Sequence, residues 1–407
     1  MNHGVEILLS LFVVFVAAQI GAEIAQRIKL PAVVGEIAAG CLIGPHALGW
    51  VKLNEPLEVL AEIGAVLLLF SVGLETRVGD LRKVGRVASI VGVLGVILPF
   101  LLGALWAWLS GYETPKAMFI AAAFVATSAG ITARVLQDLG VLGRTESRVI
   151  LGAAVIDDVL AMLLLGVVTA VQGGGGVNVV GLLLILAQAV GFVALIALVG
   201  TRVMGRSSEL LEAPINPLSP LTLSLALCLG LAVAAAWIGL AAIIGAFLAG
   251  RVMAESNQRH ALEKQFQPIM AFLVPFFFVV TGAKVDVTQL GSLSVLGMVA
   301  VVTLLAVVSK LLGCGLGALS LGKKSALIVG VGMVPRGEVG IIVASLGRQA
   351  EVFSETVYAV IIAMSILTSV IAPPVLKALL AGAPPEPGDD VSRLVSVEET
   401  GHDRARH

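Results

Sequence analysis

The chain has 407 residues, of which 58% are hydrophobic and only 13% charged, and its mean hydropathy is +1.03. Soluble domains carry about 25% charged residues, so this composition indicates a membrane protein. The formal net charge of −1 argues against a nucleic-acid partner.

Long apolar runs recur along the whole chain. Runs of about 17–25 such residues span a bilayer as helices, and we predict thirteen spans, hence an all-α polytopic membrane protein. The predicted spans cover residues 5–26, 31–49, 57–75, 87–109, 116–137, 148–171, 179–203, 218–237, 239–255, 267–283, 292–321, 324–347 and 355–380. The Pro-rich, acidic tail at 383–407 is predicted to be disordered.

The basic residues are distributed unevenly between alternate loops. Of 26 Lys and Arg residues, 20 lie in the loops after odd-numbered spans or at the adjoining span ends, four lie likewise at even-numbered spans, and Lys310 and Arg336 lie deep within spans. Positive charge accumulates on the cytoplasmic side of a membrane. We therefore predict an external N-terminus and a cytoplasmic C-terminus.

Two adjacent aspartates, Asp157 and Asp158, are the only charged residues between Val149 and Val171. A charge at bilayer depth costs at least ~2.5 kcal/mol, so such residues face a protein interior or a water-filled cavity. A structural ion pair between two helices would need only one carboxylate. Two carboxylates therefore favour a site that meets a cation.

The chain contains an internal repeat. Ala32–Gly40 aligns with Ala242–Gly250, and Ser71–Gly73 aligns with Val280–Gly282. Chance matching of small apolar residues is the alternative explanation. The shift corresponds to seven spans, an odd number, so the two copies would run in opposite directions, as in secondary transporters. Two six-helix inverted repeats, spans 1–6 and 8–13, would be joined by span 7 as a linker.

Spans 5 and 12 are interrupted at equivalent places in the two repeats. Span 5 contains Thr127 and Ser128, and span 12 contains Pro335 with four nearby glycines. Proline and glycine disfavour a continuous helix, and broken helices leave backbone groups without partners. We expect Arg336 and Glu338 in span 12 to compensate these helix ends. The alternative for Glu338 is a second ion ligand.

A lone lysine, Lys310, lies near the middle of span 11. It could extend toward an interface, but its central position favours pairing with an aspartate. Adjacent helical residues are 100° apart, so Asp157 and Asp158 can have different partners. If Asp157 pairs with Lys310, the centre carries one net negative charge. One sodium ion or one proton on Asp158 neutralises it, and competition combined with alternating access is antiport.

Hard oxygen ligands suit sodium. The expected ligands are the Asp158 carboxylate, the hydroxyls and freed carbonyls near Thr127 and Ser128, and water. No cofactor is expected, because the transported ions are themselves the substrates. Membrane lipid and a monovalent cation are the expected partners.

Three motifs resemble those of NapA-type bacterial sodium/proton antiporters of the monovalent cation:proton antiporter superfamily. They are Ala126–Leu136, Gly152–Val159 and Gly332–Gly340. The resemblance covers about residues 5–380. It implies a homodimer in the bacterial cytoplasmic membrane, with a dimerisation domain and a mobile core domain that contains two crossed, unwound helices.

The resemblance also implies residue roles and domain boundaries. Asp158 matches the ion- and proton-binding carboxylate, and Asp157 matches the one that pairs with the lysine, here Lys310. The aspartate pair and the short tail favour sodium or lithium over potassium. The implied units are the dimerisation domain at 1–86 and 207–291, the core domain at 87–172 and 292–382, the linker at 173–206 and the tail at 383–407.

Other functions place different requirements on these residues. An aspartyl protease needs two carboxylates that share a proton, and consecutive helical residues point apart. A channel would need neither the repeat nor the buried lysine. A sodium-coupled symporter of a small organic solute and a K+/H+ antiporter remain alternatives. Exchange is electrogenic if sodium entry makes Lys310 release a second proton, and one for one otherwise.

Overall fold

The computed structural model describes residues 3–75, 78–172, 179–196, 219–285, 292–349 and 351–381, together with residues 200 and 202. Within these ranges, regular secondary structure is entirely helical. The predicted disordered tail at 383–407 lies outside the described residues. Within the predicted linker, the structure describes the helix Val179–Leu195.

The helices described over their full length are numbered here in chain order. They are α1 His3–Arg27, α2 Ala32–Ile43, α3 Glu55–Glu75, α4 Val78–Leu109, α5 Thr114–Val125, α6 Ala129–Asp138, α7 Thr145–Gln172, α8 Val179–Leu195, α9 Ser219–Trp237, α10 Ala242–Met253, α11 Arg259–Ala283, α12 Leu293–Gly317, α13 Lys323–Gly332, α14 Gly337–Gln349 and α15 Glu355–Leu380. A 3₁₀ turn, Leu319–Leu321, joins α12 to α13.

Eight helical stretches among the described residues are long and apolar enough to cross a membrane. One of them, Lys116–Asp138, combines α5 and α6 across a short interruption. Shorter apolar helices, including α2 and α10, lie between the long ones. The protein is therefore a multi-pass helical membrane protein.

Several predicted boundaries were wrong for identifiable reasons. The second span was predicted to reach residue 49, but α2 ends at Ile43, where Gly44 adopts extended backbone angles and Pro45 follows. In the other direction, α4 begins at Val78 rather than 87, and α11 begins at Arg259 rather than 267. Their extra turns contain charged residues, which an apolar-run criterion does not count.

The helices pack into two groups. In the first group α2 packs on α1 and α11, and α3 packs on α10 and α11, with α9 against α10. In the second group α4 packs on α5, α7 and α12, and α12 also packs on α13 and α15, with α14 against α15. Helix α6 contacts α7 and α15 and belongs to the second group. The groups meet where α6 contacts α2 and α3 and where α15 contacts α2.

Both predicted helix interruptions are present. Helix α5 ends at Val125, and extended backbone at Ala126 and Ser128 precedes α6. Helix α13 ends at Gly332, and α14 begins only at Gly337, which has a φ of 42°. Glycine is the residue that adopts positive φ without steric cost. The two interruptions place free backbone groups inside the second helix group.

Candidate functional site

Lys310 on α12 forms the centre of a buried polar cluster. Its ammonium lies 2.7 Å from Asp157 Oδ1, and both side chains are 0% exposed. It also donates hydrogen bonds to Gly95 O at 2.7 Å and Val125 O at 2.9 Å. An ammonium has three N–H donors, so these three acceptors satisfy it completely. The contact with Asp157 agrees with the sequence prediction, and full burial rules out extension toward an interface.

One of these acceptors comes directly from a broken helix. Val125 is the last residue of α5. The last four carbonyls of an α-helix have no intrahelical partner and carry the negative end of the helix dipole. Lys310 therefore neutralises the end of α5 as well as Asp157.

The two interrupted segments are hydrogen-bonded to each other. The Ser128 N–H, at the start of α6, donates to Pro335 O at 2.7 Å, and Thr132 Oγ1 donates to Gly332 O at 2.7 Å. The first bond joins the start of α6 to the stretch between α13 and α14, and the second joins α6 to the last residue of α13. The bonds fix where the broken ends lie relative to one another.

Hydroxyl groups of α15 satisfy the beginning of α14. The Arg336 N–H donates to Thr368 Oγ1 at 3.3 Å, and the Gly337 N–H donates to Ser369 Oγ at 3.0 Å. Thr368 and Ser369 are themselves 0% exposed. Neutral hydroxyls therefore accept hydrogen bonds from the N–H groups at the start of α14.

Arg336 lies just before α14 and is fully buried. Its Nη2 donates to Ala306 O at 2.9 Å, and its Nη1 donates to Met333 O at 3.5 Å. Met333 directly follows α13, so the guanidinium faces a carbonyl at a broken end, as predicted for a compensating charge. The Glu338 side chain lies outside the described residues.

The two aspartates face different surroundings. Asp157 points to α12 and α4 through Lys310, whereas Asp158, which is 7% exposed, lines a small cavity. The cavity walls come from both helix groups, with Leu69 of α3 and Phe247 of α10 on one side and Ala129 of α6 on the other. The predicted divergence of the two carboxylates is present, and Asp158 lies where the groups meet.

Thr127 and Ser128 lie within the interruption between α5 and α6 and are 2% and 0% exposed. Among the described buried side chains, Thr127 Oγ1 and Asp157 Oδ2 are oxygens without a hydrogen-bond partner. Buried polar oxygens normally have partners. Both atoms therefore have unused hydrogen-bonding capacity beside the interruption between α5 and α6.

A larger cavity adjoins the one beside Asp158. It measures about 400 Å³ and lies between α3, α10, α11 and α14, with Ile243 lining both cavities. Its polar lining includes Glu62 and the pair Glu58–Lys284, whose Nζ–Oε1 distance is 3.3 Å. This cavity therefore lies between the two helix groups, next to the small cavity beside Asp158.

Several residues of the buried polar cluster were not predicted from the sequence. Gly95 and the hydroxyls of Thr368 and Ser369 were missed, and Thr132 was noted only as part of a motif. Ser365, Thr368 and Ser369 recur at the three- and four-residue spacing of one helical face in an otherwise apolar span. That spacing is the signal by which the capping hydroxyls could have been found.

The fold and this site define a polytopic membrane protein with a buried charged centre between two broken helices. The family model described as "Sodium/hydrogen exchanger, transmembrane" matches residues 10–382, and the chain belongs to that family.

Individual relatives agree with the family assignment. The high-affinity Na+/H+ antiporter NhaS3 of Synechocystis is 34% identical, over 93% of this chain and 91% of its own length. The Na+/H+-K+ antiporter GerN of Bacillus cereus is 34% identical, over 91% of this chain and 96% of its own. The sodium proton antiporter MjNhaP1 of Methanocaldococcus jannaschii is similar in fold, with a TM-score of 0.64 at 18% identity, covering 93% of this chain and 98% of that one.

Proposed function

We propose that the protein exchanges Na+ or Li+ for H+ across a bacterial cytoplasmic membrane by alternating access. The observation that carries this proposal is the placement of Asp158 at a cavity between the two helix groups, beside the fully buried Asp157–Lys310 pair. A carboxylate in that position can bind either a cation or a proton. The names of the relatives, which are Na+/H+ antiporters, support the same activity.

The site residues have distinct proposed roles. Asp158 is the shared ion and proton site, and Thr127 and Ser128 contribute oxygen ligands from the interruption before α6. Asp157 and Lys310 couple ion entry to proton release. When sodium approaches Asp157 Oδ2, it weakens the bond to Lys310, and release of the lysine proton would make exchange electrogenic.

We propose thirteen membrane spans arranged as two inverted repeats. Support comes from helix pairs packed so closely that a Cβ on a glycine of one helix would collide with a backbone carbonyl of the other. Among the described residues, the six closest of these contacts form three pairs in which both members are shifted by 209 or 210 positions. The matched contacts are Gly35–Gly21 with Gly245–Leu231, Gly282–Ile37 with Gly73–Phe247, and Gly40–Val279 with Gly250–Phe70.

These matched contacts are difficult to attribute to chance similarity of small residues. In the last two of the three cases, a helix of one half packs on a helix of the other, so that α2 on α11 corresponds to α10 on α3. Such exchange is expected of two copies related by a two-fold axis in the membrane plane.

The helix groups have proposed functional identities. The first group would be the dimerisation domain of a homodimer, and the second group the mobile core domain. With the N-terminus outside and the C-terminus in the cytoplasm, Lys284 lies on the external side. The 400 Å³ cavity that it lines with Glu58 would then be the external access route to Asp158.

The decisive experiment is transport by purified protein in liposomes with an imposed pH gradient. We expect added Na+ or Li+ to dissipate the gradient without any organic solute. Asp158→Asn removes the charge and the titration, so its liposomes should not respond, whereas a folded protein is still expected because a buried charge is removed. A sodium response in Asp158→Asn would contradict the site assignment.

A second ion deserves a matched measurement. The name of GerN includes K+, and that protein is 34% identical to this chain. Parallel assays with K+ therefore distinguish the K+/H+ alternative. A gradient that responds only when an organic solute accompanies sodium would instead indicate a symporter.

A further inference from the structure

Helix α4 contains a buried internal proline, Pro99, and continues through it from Val78 to Leu109. In an α-helix the N–H of each residue donates to the carbonyl four residues earlier, and proline has no N–H. The carbonyl that loses its helical donor is that of Gly95. Lys310 Nζ donates to this carbonyl at 2.7 Å.

We infer that Pro99 is a positioning residue for Lys310. By withholding an N–H, it reserves the Gly95 carbonyl as the third acceptor of the ammonium. The other two acceptors, Asp157 and Val125, come from α7 and from the end of α5. Three helices thus hold one lysine, and α4 contributes through a carbonyl that Pro99 leaves open.

Gly95 adds a steric requirement at the same place. A Cβ at Gly95 would lie 2.7 Å from Cys314 Sγ, 3.5 Å from Lys310 Nζ and 3.7 Å from Asp157 Oδ1. A side chain there would displace the thiol and stand beside the ion pair. Gly95 therefore provides the space and Pro99 provides the open acceptor, one helical turn apart.

The charged surroundings of Lys310 do not change when Pro99 is replaced. Lys310 interacts with Asp157 on α7 and with Cys314 on α12 itself, and Arg336, before α14, interacts with both Asp157 and Cys314. Pro99→Ala leaves all three in place and adds one N–H, which competes with Lys310 for the Gly95 carbonyl. An altered behaviour of the lysine would therefore trace to that carbonyl.

A thermal double-mutant cycle tests this competition without using transport. Pro99→Ala is combined with Lys310→Met, which removes the ammonium. In Lys310→Met, the N–H that Pro99→Ala adds finds the Gly95 carbonyl unoccupied. Pro99→Ala should therefore change Tm more favourably in Lys310→Met than in the wild type, by at least about 2 °C. Pro275→Ala, at a buried internal proline of α11, is the control and should change Tm equally in both backgrounds. Equal effects of Pro99→Ala in both backgrounds would overturn the inference.

The pH profile of transport tests the consequence for coupling, and this part rests on the proposed antiport. A weaker third hydrogen bond should hold Lys310 less firmly beside Asp157, and the pH dependence of transport should change with it. The pH of half-maximal sodium-driven proton flux should shift by about half a unit or more in Pro99→Ala and be unchanged in Pro275→Ala. Lactic acid, the α-hydroxy analogue of alanine, has no N–H and should restore the original profile when incorporated at position 99.

The possible results separate the two proposals. Wild-type liposomes that ignore sodium would refute the antiport, while the thermal cycle still decides the role of Pro99. If transport occurs and alanine and lactic acid at position 99 give the same profile, shifted or unshifted, the missing N–H has no part in positioning Lys310.

Discussion

Thr132 Oγ1 on α6 donates a 2.7 Å hydrogen bond to the carbonyl of Gly332, the last residue of α13. Thr132 is 2% exposed, so the bond lies away from solvent. It connects one broken helix to the other at a carbonyl that has no helical partner. The bond therefore holds the two interruptions in register around the charged centre.

Removal of this hydroxyl should weaken the crossing, by which we mean the contact between α6 and the end of α13. Thr132→Val keeps the side-chain shape but leaves the Gly332 carbonyl without its donor, which costs about 1–3 kcal/mol when the group stays buried. We expect a lower Tm and slower sodium-driven proton flux in liposomes. Thr132→Ser retains the hydroxyl and is the control. If Val and Ser variants behave alike, the hydroxyl does not secure the crossing.

The Asp157–Lys310 pair should respond asymmetrically to truncation. Lys310→Ala leaves Asp157 buried without its cation, and breaking a buried pair typically costs about 3–5 kcal/mol. In Asp157→Asn, Lys310 keeps the carbonyls of Gly95 and Val125, so we expect a smaller loss of Tm.

A double-mutant cycle on Tm measures this pair directly. The combined variant should lose less stability than the two single changes added together, because neither partner is then left alone. Additive losses would show that the pair contributes nothing beyond its separate members. A further variant, Lys310→Gln, tests the role of the lysine in transport. If electrogenic exchange survives unchanged in it, Lys310 has only a structural role.

The sequence predicted the parts of this centre that have a side-chain signature. Pro335 and its neighbouring glycines predicted the break before α14, and the isolated charges of Asp157 and Lys310 predicted their contact. The carbonyl acceptors of Gly95 and Val125 were not predicted. Every residue has a carbonyl, and only the three-dimensional packing determines which one a buried ammonium reaches.

The helix ends also include features that the sequence predicted and features that it did not. The apolar pattern located α2 but not its end, which depends on the backbone angles of Gly44 rather than on hydrophobicity. The sequence did not predict that the hydroxyl oxygens of Thr368 and Ser369 accept hydrogen bonds from the first N–H groups at the start of α14. Hydroxyls satisfy N–H groups without the desolvation penalty that burying a charge carries.

The orientation of the chain in the membrane can be tested with single cysteines. The distribution of Lys and Arg, 20 against four, predicts that position 174 is external and Lys323 is cytoplasmic. A membrane-impermeant thiol reagent applied to intact cells should label Gly174→Cys and not Lys323→Cys. The native cysteines, Cys41, Cys228 and Cys314, are first replaced. Labelling of both positions from outside would refute the thirteen-span topology.

Alternating access requires the second helix group to move against the first. Leu69 of α3 and Ala129 of α6 belong to different groups and line the same cavity as Asp158. In a cysteine-free background, a short reducible crosslink between Leu69→Cys and Ala129→Cys should stop sodium-driven proton flux, and reduction should restore it. The control joins Phe15→Cys to Phe272→Cys, whose native rings are 5.5 Å apart within the first group. This crosslink should leave the flux unchanged, since both helices move together. Full activity of quantitatively crosslinked Leu69→Cys/Ala129→Cys protein would show that the interface beside Asp158 does not open during transport.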